Sequence, residues 1–286
     1  MDEETHTRDA ENATEPGGTV TSATATEPDD RADLSVALSR ARANPRPALV
    51  WSAVALVLLA VEFGAVASTA AELVAAVLRV APFGGDGAGL IATTERVPTL
   101  LSRERIPNAG YYDGRQWVNT FAGLEPRDAW LVRVTLVYAY ATAVVAWCWT
   151  GYRWFRRYYR PADWTPRDDV VDRFRGHRWG QFGLLVVFLF LVLAAFAPTL
   201  GTTTVEQNIA NPFGHQIQYY DAAAGSVETT TVGTANRDTQ SRGIPDRNVG
   251  PLSYDQYDRY HPFGTLPSGK DLFTFLAVGA RVSLVI

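Results

Sequence analysis

Three stretches of the chain are long enough and apolar enough to cross a lipid bilayer, and they constrain the fold more than any other feature. They cover residues 48–67, 130–149 and 180–197. A helix of about 20 residues, rising 1.5 Å per residue, spans a hydrocarbon core of about 30 Å. Because lipid offers no partners for backbone amides, such segments are expected to be helical. The sequence therefore predicts an all-α multi-pass membrane protein, with three complete transmembrane helices and the start of a fourth.

Polar segments separate the apolar ones and divide the chain into eight regions. Residues 1–31 contain almost no large apolar side chain, so they cannot bury enough surface to offset the entropy lost on ordering. The predicted regions are a disordered cytoplasmic tail (1–46), a first transmembrane helix with an amphipathic extension (48–80), an extracellular loop (81–129), a second transmembrane helix (130–150), a basic cytoplasmic loop (151–179), a third transmembrane helix (180–197), an extracellular segment (198–271), and an interfacial helix that leads into a further transmembrane domain (272–286).

The orientation in the membrane follows from the distribution of arginine. Eight arginines lie between residues 153 and 178, and Arg40, Arg42 and Arg46 precede the first apolar stretch. Basic residues close to membrane spans mark the cytoplasmic side. We therefore expect a cell-membrane protein whose N-terminus and 151–179 loop are cytoplasmic. The same loop could instead bind a partner ATPase or anionic lipid head groups.

The long polar segment after residue 198 contains a candidate β-hairpin. Residues 216–220 and 226–232 each alternate with period two, and the segment between them ends in Gly225, which tolerates turn geometry. The five-residue connection leaves the register of the two strands open.

Two ionisable residues, Glu62 and Arg133, fall well inside predicted spans. A charge within the membrane costs about 2.5 to 3.5 kcal/mol on insertion scales. Both residues fall in the outer halves of their helices, so an intramembrane pair between them is predicted. The alternative is that each side chain reaches the outer interface on its own.

Composition argues against several classes of site. The chain has one cysteine, Cys148, and four histidines far apart in sequence, which gives neither a disulfide framework nor a metal-binding motif. A net charge of -4 argues against nucleic-acid binding. No grouping of a nucleophile, a base and a metal emerges. We therefore expect no cofactor, no metal site and no enzymatic activity.

The segment from His261 to Ile286 reads HPFGTLPSGKDLFTFLAVGARVSLVI. It resembles the signature H-P-x-G-T-D-x-x-G-R-D, followed by G-x-R-x-S-L, of the C-type permease subunit of dipeptide, oligopeptide and nickel ABC importers. The residues that fall on this pattern are His261, Pro262, Gly264, Thr265, Gly269, Asp271, Gly279, Arg281, Ser283 and Leu284. Three positions depart from it: Leu266 replaces Asp, Lys270 replaces Arg, and Phe275 replaces a common Arg. Residues 173–198 also resemble the first helix of that family.

The resemblance implies an N-terminal fragment of a permease subunit for peptides or nickel. In that family, two permease subunits form the translocation path, an extracellular binding protein delivers the substrate, and two ATP-binding subunits drive transport. The ATPase-coupling loop of the family would lie beyond Ile286. The partners implied are these subunits and membrane lipids. The alternative is a membrane-anchored sensor or binding module that uses residues 198–260.

The signature also has the G-x-x-x-x-G-K spacing of a phosphate-binding loop, in Gly264, Gly269 and Lys270. The next residue is Asp271, which would repel a phosphate, so nucleotide binding is not expected. Asp271 is instead expected to cap a short interfacial helix, residues 272–279, by accepting a backbone N–H. Phe273 and Phe275 would anchor that helix at the membrane surface, and Arg281 would reach lipid head groups or a partner permease.

Overall fold

The computed structural model describes residues 30–63, 74, 99, 101–160, 166–239 and 248–285. The predicted tail before Asp30 lies outside the described residues. So does most of the amphipathic extension predicted after the first transmembrane helix.

Helix α1, Asp30–Ala43, is followed by helix α2, Arg46–Val61, with a bend of 93° between them. The side chain of Tyr159 fixes the bend, because its hydroxyl donates to the carbonyl of Asn44 at 2.8 Å and accepts from the amide of Ala48 at 3.2 Å. The prediction of a disordered tail is therefore wrong for residues 30–43. This segment is rich in Ala, Leu and Arg, which favour helix even where few apolar side chains are available for burial.

A polar segment between residues 101 and 125 precedes the longest helix. Strands β1, Tyr111–Tyr112, and β2, Trp117–Val118, pair antiparallel, and a 3-10 turn covers Phe121–Gly123. Helix α3 runs from Pro126 to Trp154 and continues as a π-helical turn over Phe155–Tyr159. It exceeds the predicted span of 130–150 at both ends.

Helices α2 and α3 pack through two tryptophans. The rings of Trp51 and Trp147 stack with centroids 4.1 Å apart. Each indole N–H donates to the backbone carbonyl of the other residue, at 3.1 and 2.9 Å. Because both indole groups find partners, these large side chains can lie between apolar helices without leaving a polar atom unpaired.

Helix α4, Pro166–Gly176, leads into helix α5, Arg178–Ala195, and the short helix α6, Ala197–Leu200. The described residues contain two helices that are long and apolar enough to cross a membrane, residues 126–159 and 178–195. The number is three if α1 and α2 form one bent span. This helical architecture fits a multi-pass membrane protein.

Two antiparallel strands lie close to the positions where alternation places a hairpin. Strand β3, Gln216–Asp221, pairs with β4, Ser226–Thr231, in a register that runs from Gln216↔Thr231 to Asp221↔Ser226. Gly225 closes the turn with φ +66, a value that favours glycine. Residues 206–210 and 212–214 form single helical turns before the hairpin.

The last part of the chain, from residue 232 to residue 285, ends in a helix that packs against the earlier helices. Helix α7, Val232–Arg237, follows the hairpin, and strands β5, Ser253–Tyr254, and β6, Tyr260–His261, pair antiparallel. Helix α8 is continuous from Leu272 to Val285, so the predicted division at residue 279 into an interfacial helix and a new span is wrong.

A hydrophobic core joins α3, α5, α6 and α8. Trp130 lies at its centre, with its ring centroid 5.5 Å from that of Phe273 and 5.7 Å from that of Tyr260. Its indole N–H donates to the carbonyl of Leu200 at 2.8 Å. Phe273 is buried in this core, so the prediction that it anchors the helix at the membrane surface is wrong. The core fixes the N-terminal end of α8, and with it the loop that precedes that helix.

Candidate functional site

The signature loop, residues 261–271, owes its shape to two glycines. Gly264 has φ +79 and Gly269 has φ +73, a region that side chains with a Cβ rarely adopt. A Cβ on Gly269 would collide with the carbonyl oxygen of Asn236, and one on Gly264 would lie 2.5 Å from that of Val249. The backbone of this loop therefore approaches two neighbouring segments as closely as glycine allows.

Backbone hydrogen bonds hold the loop in place. Thr265 is bound to Val249 twice, since its N–H donates to the Val249 carbonyl at 3.0 Å and its Oγ1 accepts from the Val249 N–H at 3.2 Å. The N–H of Leu272 donates to the carbonyl of Gly264 at 3.1 Å. Pro262 is buried, and its carbonyl accepts from the N–H of Leu252 at 3.1 Å. These residues of the signature therefore have structural roles.

Asp271 caps helix α8 as the sequence predicts. Its Oδ2 accepts from the backbone N–H and the hydroxyl of Thr274, both at 2.8 Å. The side chain of Asn208 binds the backbone of Asp271 on both sides, accepting from its N–H at 2.9 Å and donating to its carbonyl at 3.2 Å. The cap is therefore tied to the segment that leads from α6 to the hairpin.

A buried row of charged side chains runs behind the loop. Nδ1 of His261 lies 3.0 Å from Oδ1 of Asp271, and Nε2 of the same ring lies 3.5 Å from Oδ2 of Asp255. Arg259 donates its Nε–H to Oδ2 of Asp255 at 2.6 Å. Asp255, His261 and Asp271 are all buried. Within the described residues, no group of His, Cys, Asp or Glu has an arrangement that could hold a metal ion.

The pKa values of this row reflect its pairing. Burial raises the pKa of Asp255, but the charge of Arg259 and the hydrogen bond with His261 outweigh it and bring the pKa to about 2. Burial lowers the pKa of His261, but its contacts with Asp255 and Asp271 outweigh that effect and raise the pKa above 6.5. Asp271 has a pKa below 3.8, because the contact with His261 outweighs burial. The row is therefore a set of alternating charges that stabilise one another.

The loop does not have the geometry of a phosphate-binding loop. The N–H of Leu266 donates to the carbonyl of Lys270, and the N–H of Gly269 donates to the carbonyl of Leu266. A phosphate cradle needs such amides free to bind the anion. The carboxylate of Asp271 already occupies the N-terminus of α8.

The remaining signature residues lie further along α8, away from the loop. Gly279 and Arg281 are exposed, and nothing lies within 4 Å of a Cβ built on Gly279. Ser283 donates its hydroxyl to the carbonyl of Gly279 at 2.9 Å. The structure therefore divides the signature into a buried loop and an exposed helix face.

The predicted pair of Glu62 and Arg133 does not form. Arg133 is fully buried and donates to the carbonyls of Ile106 at 2.6 Å and Gly201 at 2.9 Å, and to Oδ1 of Asn108 at 2.8 Å. Glu62 is also buried, but the described residues show no ion pair between the two. The depth of two residues in the membrane does not fix the direction in which each side chain points. Arg133 instead ties two polar segments to helix α3.

A polar cavity of about 430 Å³ lies beside the signature loop. His261 and Asp271 contribute to its wall, together with the hairpin, residues 103–119 and residues 202–208. Sequence reasoning missed Asp255 and Arg259, the two further members of the charged row. Their only local signal is an Asp and an Arg four residues apart, a spacing too common to identify a site.

Residues 165–216 match the family described as the N-terminal TM domain of oligopeptide transport permease C. The match supports a permease of an ABC transporter. It covers helices α4, α5 and α6 of this chain and ends at the first residue of the hairpin. No curated protein and no solved structure matches the chain.

Proposed function

We propose that the chain is a permease subunit of an ABC importer for peptides, which forms part of the translocation path while separate subunits hydrolyse ATP. The match of residues 165–216 to an oligopeptide permease domain carries the proposal. The signature at residues 261–284 lies outside that match and points to the same family. Because the matched description names oligopeptides, peptides are favoured over nickel as the substrate.

Packing between the two segments supports the proposal. Helix α5 belongs to the matched segment, and helix α8 carries the second half of the signature. The two helices contact each other, and the core around Trp130 and Phe273 connects them. The family-like parts of the chain therefore form one packed unit.

The apolar surface of the helices supports an environment of lipid and partner subunits. Exposed apolar side chains cover α5, among them Phe182, Leu184 and Leu185, with 59%, 57% and 51% of their surfaces exposed. Val282 and Leu284 extend the apolar surface along α8. Such a surface requires lipid or another protein to cover it. The partners proposed are a second permease subunit, two ATP-binding subunits, an extracellular substrate-binding protein and membrane lipids.

The proposed orientation places the N-terminus and residues 151–179 in the cytoplasm and the hairpin outside. Its support is the concentration of arginine before α2 and after α3. Single cysteines at Val170 and Val227, in a Cys148→Ser background, would report the two sides. Both valines are exposed. We expect an impermeant maleimide to label position 227 in intact cells and position 170 only after the cells are opened; the reverse pattern would overturn the orientation.

A membrane-anchored sensor or binding module is the alternative function. The observation that favours it is the polar cavity beside the hairpin, which is large enough for a small ligand. In both functions the chain itself is not an enzyme. The two differ in their partners, since a sensor needs no ATP-binding subunits.

Purification of the protein from its own host through an affinity tag tests the proposal. We expect two ATP-binding subunits and a second permease subunit to co-purify in a mild detergent. Recovery of the chain without any ATP-binding subunit, from membranes cross-linked before solubilisation, would contradict the proposed function. A cross-linked sample of an unrelated tagged membrane protein is the control for non-specific capture.

A further inference from the structure

The direction of helix α1 follows from its bend of 93° against α2. Helix α2 runs antiparallel to α3, because Trp51 stacks on Trp147 and, further along both helices, the hydroxyl of Tyr140 donates to the carbonyl of Leu58 at 3.1 Å. Helix α3 is long and apolar enough to cross a membrane. A helix at right angles to this pair lies along the membrane surface, so α1 extends there from the start of α2.

The bend brings together two basic segments that are far apart in sequence. Helix α1 packs against the π-helical turn at the end of α3. The guanidinium group of Arg40 donates through Nη1 to the carbonyl of Arg160. The last turn of α1, which contains Arg42, therefore lies beside the turn that contains Arg157. We call these two turns, together with the adjoining Arg46 and Arg153, the basic surface.

The basic surface has little negative charge of its own. Its five exposed arginines form no ion pair with any side chain that the structure describes; they are Arg40, Arg42, Arg46, Arg153 and Arg157. The carboxylates described at this end of the molecule are those of Asp169 and Asp172, and Asp172 lies 3.7 Å from Arg175. Because like charges held close together repel, such a surface favours an anion from outside the chain.

The depth of the basic surface is that of lipid head groups. Residues three or four apart lie on the same face of a helix. On α2, Arg46 precedes the exposed Leu49, and on α3, Arg153 follows the exposed Trp149 and Val145. Each arginine therefore continues an exposed apolar row and lies about one turn, or 5.4 Å, beyond it. Where lipid tails cover the apolar rows, the guanidinium groups reach the phosphates above them.

Aromatic side chains at the same end of the molecule support this depth. Trp149 lies under the guanidinium group of Arg175, 5.6 Å from ring centroid to Cζ. Tyr158 is exposed, and 80% of the surface of Trp179 is exposed. Tryptophan and tyrosine favour the boundary between lipid tails and water. This environment favours lipid over an acidic protein as the source of the anion.

We propose that the basic surface binds the phosphate head groups of anionic phospholipids, with Arg42 and Arg157 contributing from its two segments. A guanidinium group presents two parallel N–H donors, which match two oxygens of a phosphate. The bound lipid would hold α1 on the membrane surface beside the end of α3. The proposal rests on the helices crossing a membrane and is independent of what the complex transports.

Native mass spectrometry of the purified chain in a neutral detergent tests the proposal, because it counts bound lipid molecules during a titration. The probes are phosphatidylglycerol, which is anionic, and phosphatidylcholine, which has no net charge. We expect phosphatidylglycerol to bind about tenfold or more tightly, since each arginine near an anionic head group contributes about fivefold. Equal affinity for the two lipids, or no binding of phosphatidylglycerol, would overturn the proposal.

A soluble competitor separates a lipid from a free phosphate. Glycerol 3-phosphate carries a phosphate without acyl chains, so it should not displace phosphatidylglycerol at equal concentration. Displacement at equal concentration would assign the basic surface to a soluble phosphate and overturn the proposal.

Variants locate the lipid on the basic surface. Arg42→Gln and Arg157→Gln should each weaken phosphatidylglycerol binding by about fivefold, and the double variant by about 25-fold. The control is the double variant Arg105→Gln and Arg115→Gln, which removes the same charge from exposed positions before the other end of α3. The control should bind normally. Equal weakening in both double variants, or in neither, would overturn the proposal.

The same double variants test the rival occupant, an acidic surface of an ATP-binding subunit. Because the four side chains are exposed, we expect both double variants to keep the melting temperature of the lipid-free protein and the co-purified ATP-binding subunits. Normal phosphatidylglycerol binding by the Arg42→Gln and Arg157→Gln variant, with loss of the ATP-binding subunits, would overturn the proposal in favour of the protein partner.

Discussion

The imidazole of His261 and the carboxylate of Asp271, the first and last residues of the signature loop, lie against each other with Nδ1 3.0 Å from Oδ1. This contact closes the loop and sets the carboxylate where it caps helix α8. Because Asp255 lies on the other side of the same ring, one histidine connects the helix cap to the β5–β6 turn. The H-P-x-G-T segment and the distant Asp of the signature thus form one structural unit.

Removal of the Asp271 carboxylate is expected to destabilise the protein strongly. Asp271→Ala deletes the helix cap and leaves Nδ1 of the buried His261 ring without its partner, which typically costs about 3 to 5 kcal/mol. This exceeds the roughly 1 kcal/mol expected for a helix cap alone. Asp128→Ala is the matched control, since its ion pair with Arg127 at 3.1 Å is about half exposed and contributes little to stability. Chemical denaturation in detergent would measure the free energy of unfolding of both variants. Similar losses of stability in the two would contradict the role given to Asp271.

The stability of the protein should depend on pH, because the buried row of charged side chains around His261 contains groups that titrate. The pKa of His261 is raised above 6.5, so its contribution is complete below pH 6.5 and is lost as the pH rises through the pKa of the folded state. The pKa of Asp255 is lowered to about 2, so its contribution is complete above pH 3.8 and is lost as the pH falls through about 2. The groups facing His261 are Asp255, Asp271 and Arg259. Stability from this row is therefore greatest between pH 3.8 and 6.5.

The melting temperature of the detergent-solubilised protein, measured across this range, checks the pH dependence. His261→Asn should remove the decline on the alkaline side, because no ring remains to lose a proton. A decline of unchanged size in that variant would show that other groups cause it.

Gly269 and Gly279 of the signature lie in different environments, so substitution by alanine should change the stability of the protein differently at the two positions. Gly269→Ala is expected to misfold or to lose several kcal/mol, because the new methyl group meets the carbonyl of Asn236 and the backbone is left-handed. Gly279→Ala is expected to keep or raise the stability of α8 by up to about 1 kcal/mol, since the space around it is open. Comparison of their unfolding curves checks this, and equal tolerance of both changes would contradict the loop geometry.

Arg133 should couple to the polar segment around Asn108 and not to Glu62. Arg133→Met leaves three buried acceptors unpaired and is expected to cost about 3 to 5 kcal/mol. Arg153→Met, at an exposed position on the same helix, is the control and should cost less than about 0.5 kcal/mol. In double-mutant cycles, we expect Arg133→Met to show a coupling energy near zero with Glu62→Gln. We expect a measurable coupling energy with Asn108→Ala. A large coupling with Glu62 would restore the intramembrane pair.

Local patterns in the sequence were enough to predict the parts of the fold that depend on local composition. The apolar stretches around Trp147 and Leu189 became helices α3 and α5, and period-two alternation marked strands β3 and β4. The cap by Asp271 also followed from its place before an apolar helix. In each case the residues that determine the structure are neighbours in the chain.

Contacts between distant segments could not be predicted in the same way. The position of Arg133 along α3 gives its depth but not the loops it meets, and these loops lie 25 to 68 residues away in sequence. Asp255 joins the buried row only because β5 and β6 bring it beside His261. The bend after helix α1 could not be predicted either, because Tyr159, more than a hundred residues later, holds it through Asn44.

Transport by the assembled complex tests the central claim most directly. The complex would be purified from its own host through a tag on this chain and reconstituted into liposomes. Entry of a labelled dipeptide would then be followed in the presence of the substrate-binding protein. The measurement would be made with and without ATP on the side of the ATP-binding subunits. The account predicts ATP-dependent dipeptide uptake that is lost in the Asp271→Ala complex and kept in the Asp128→Ala complex. A complex that contains all its subunits, hydrolyses ATP and moves no peptide would contradict it.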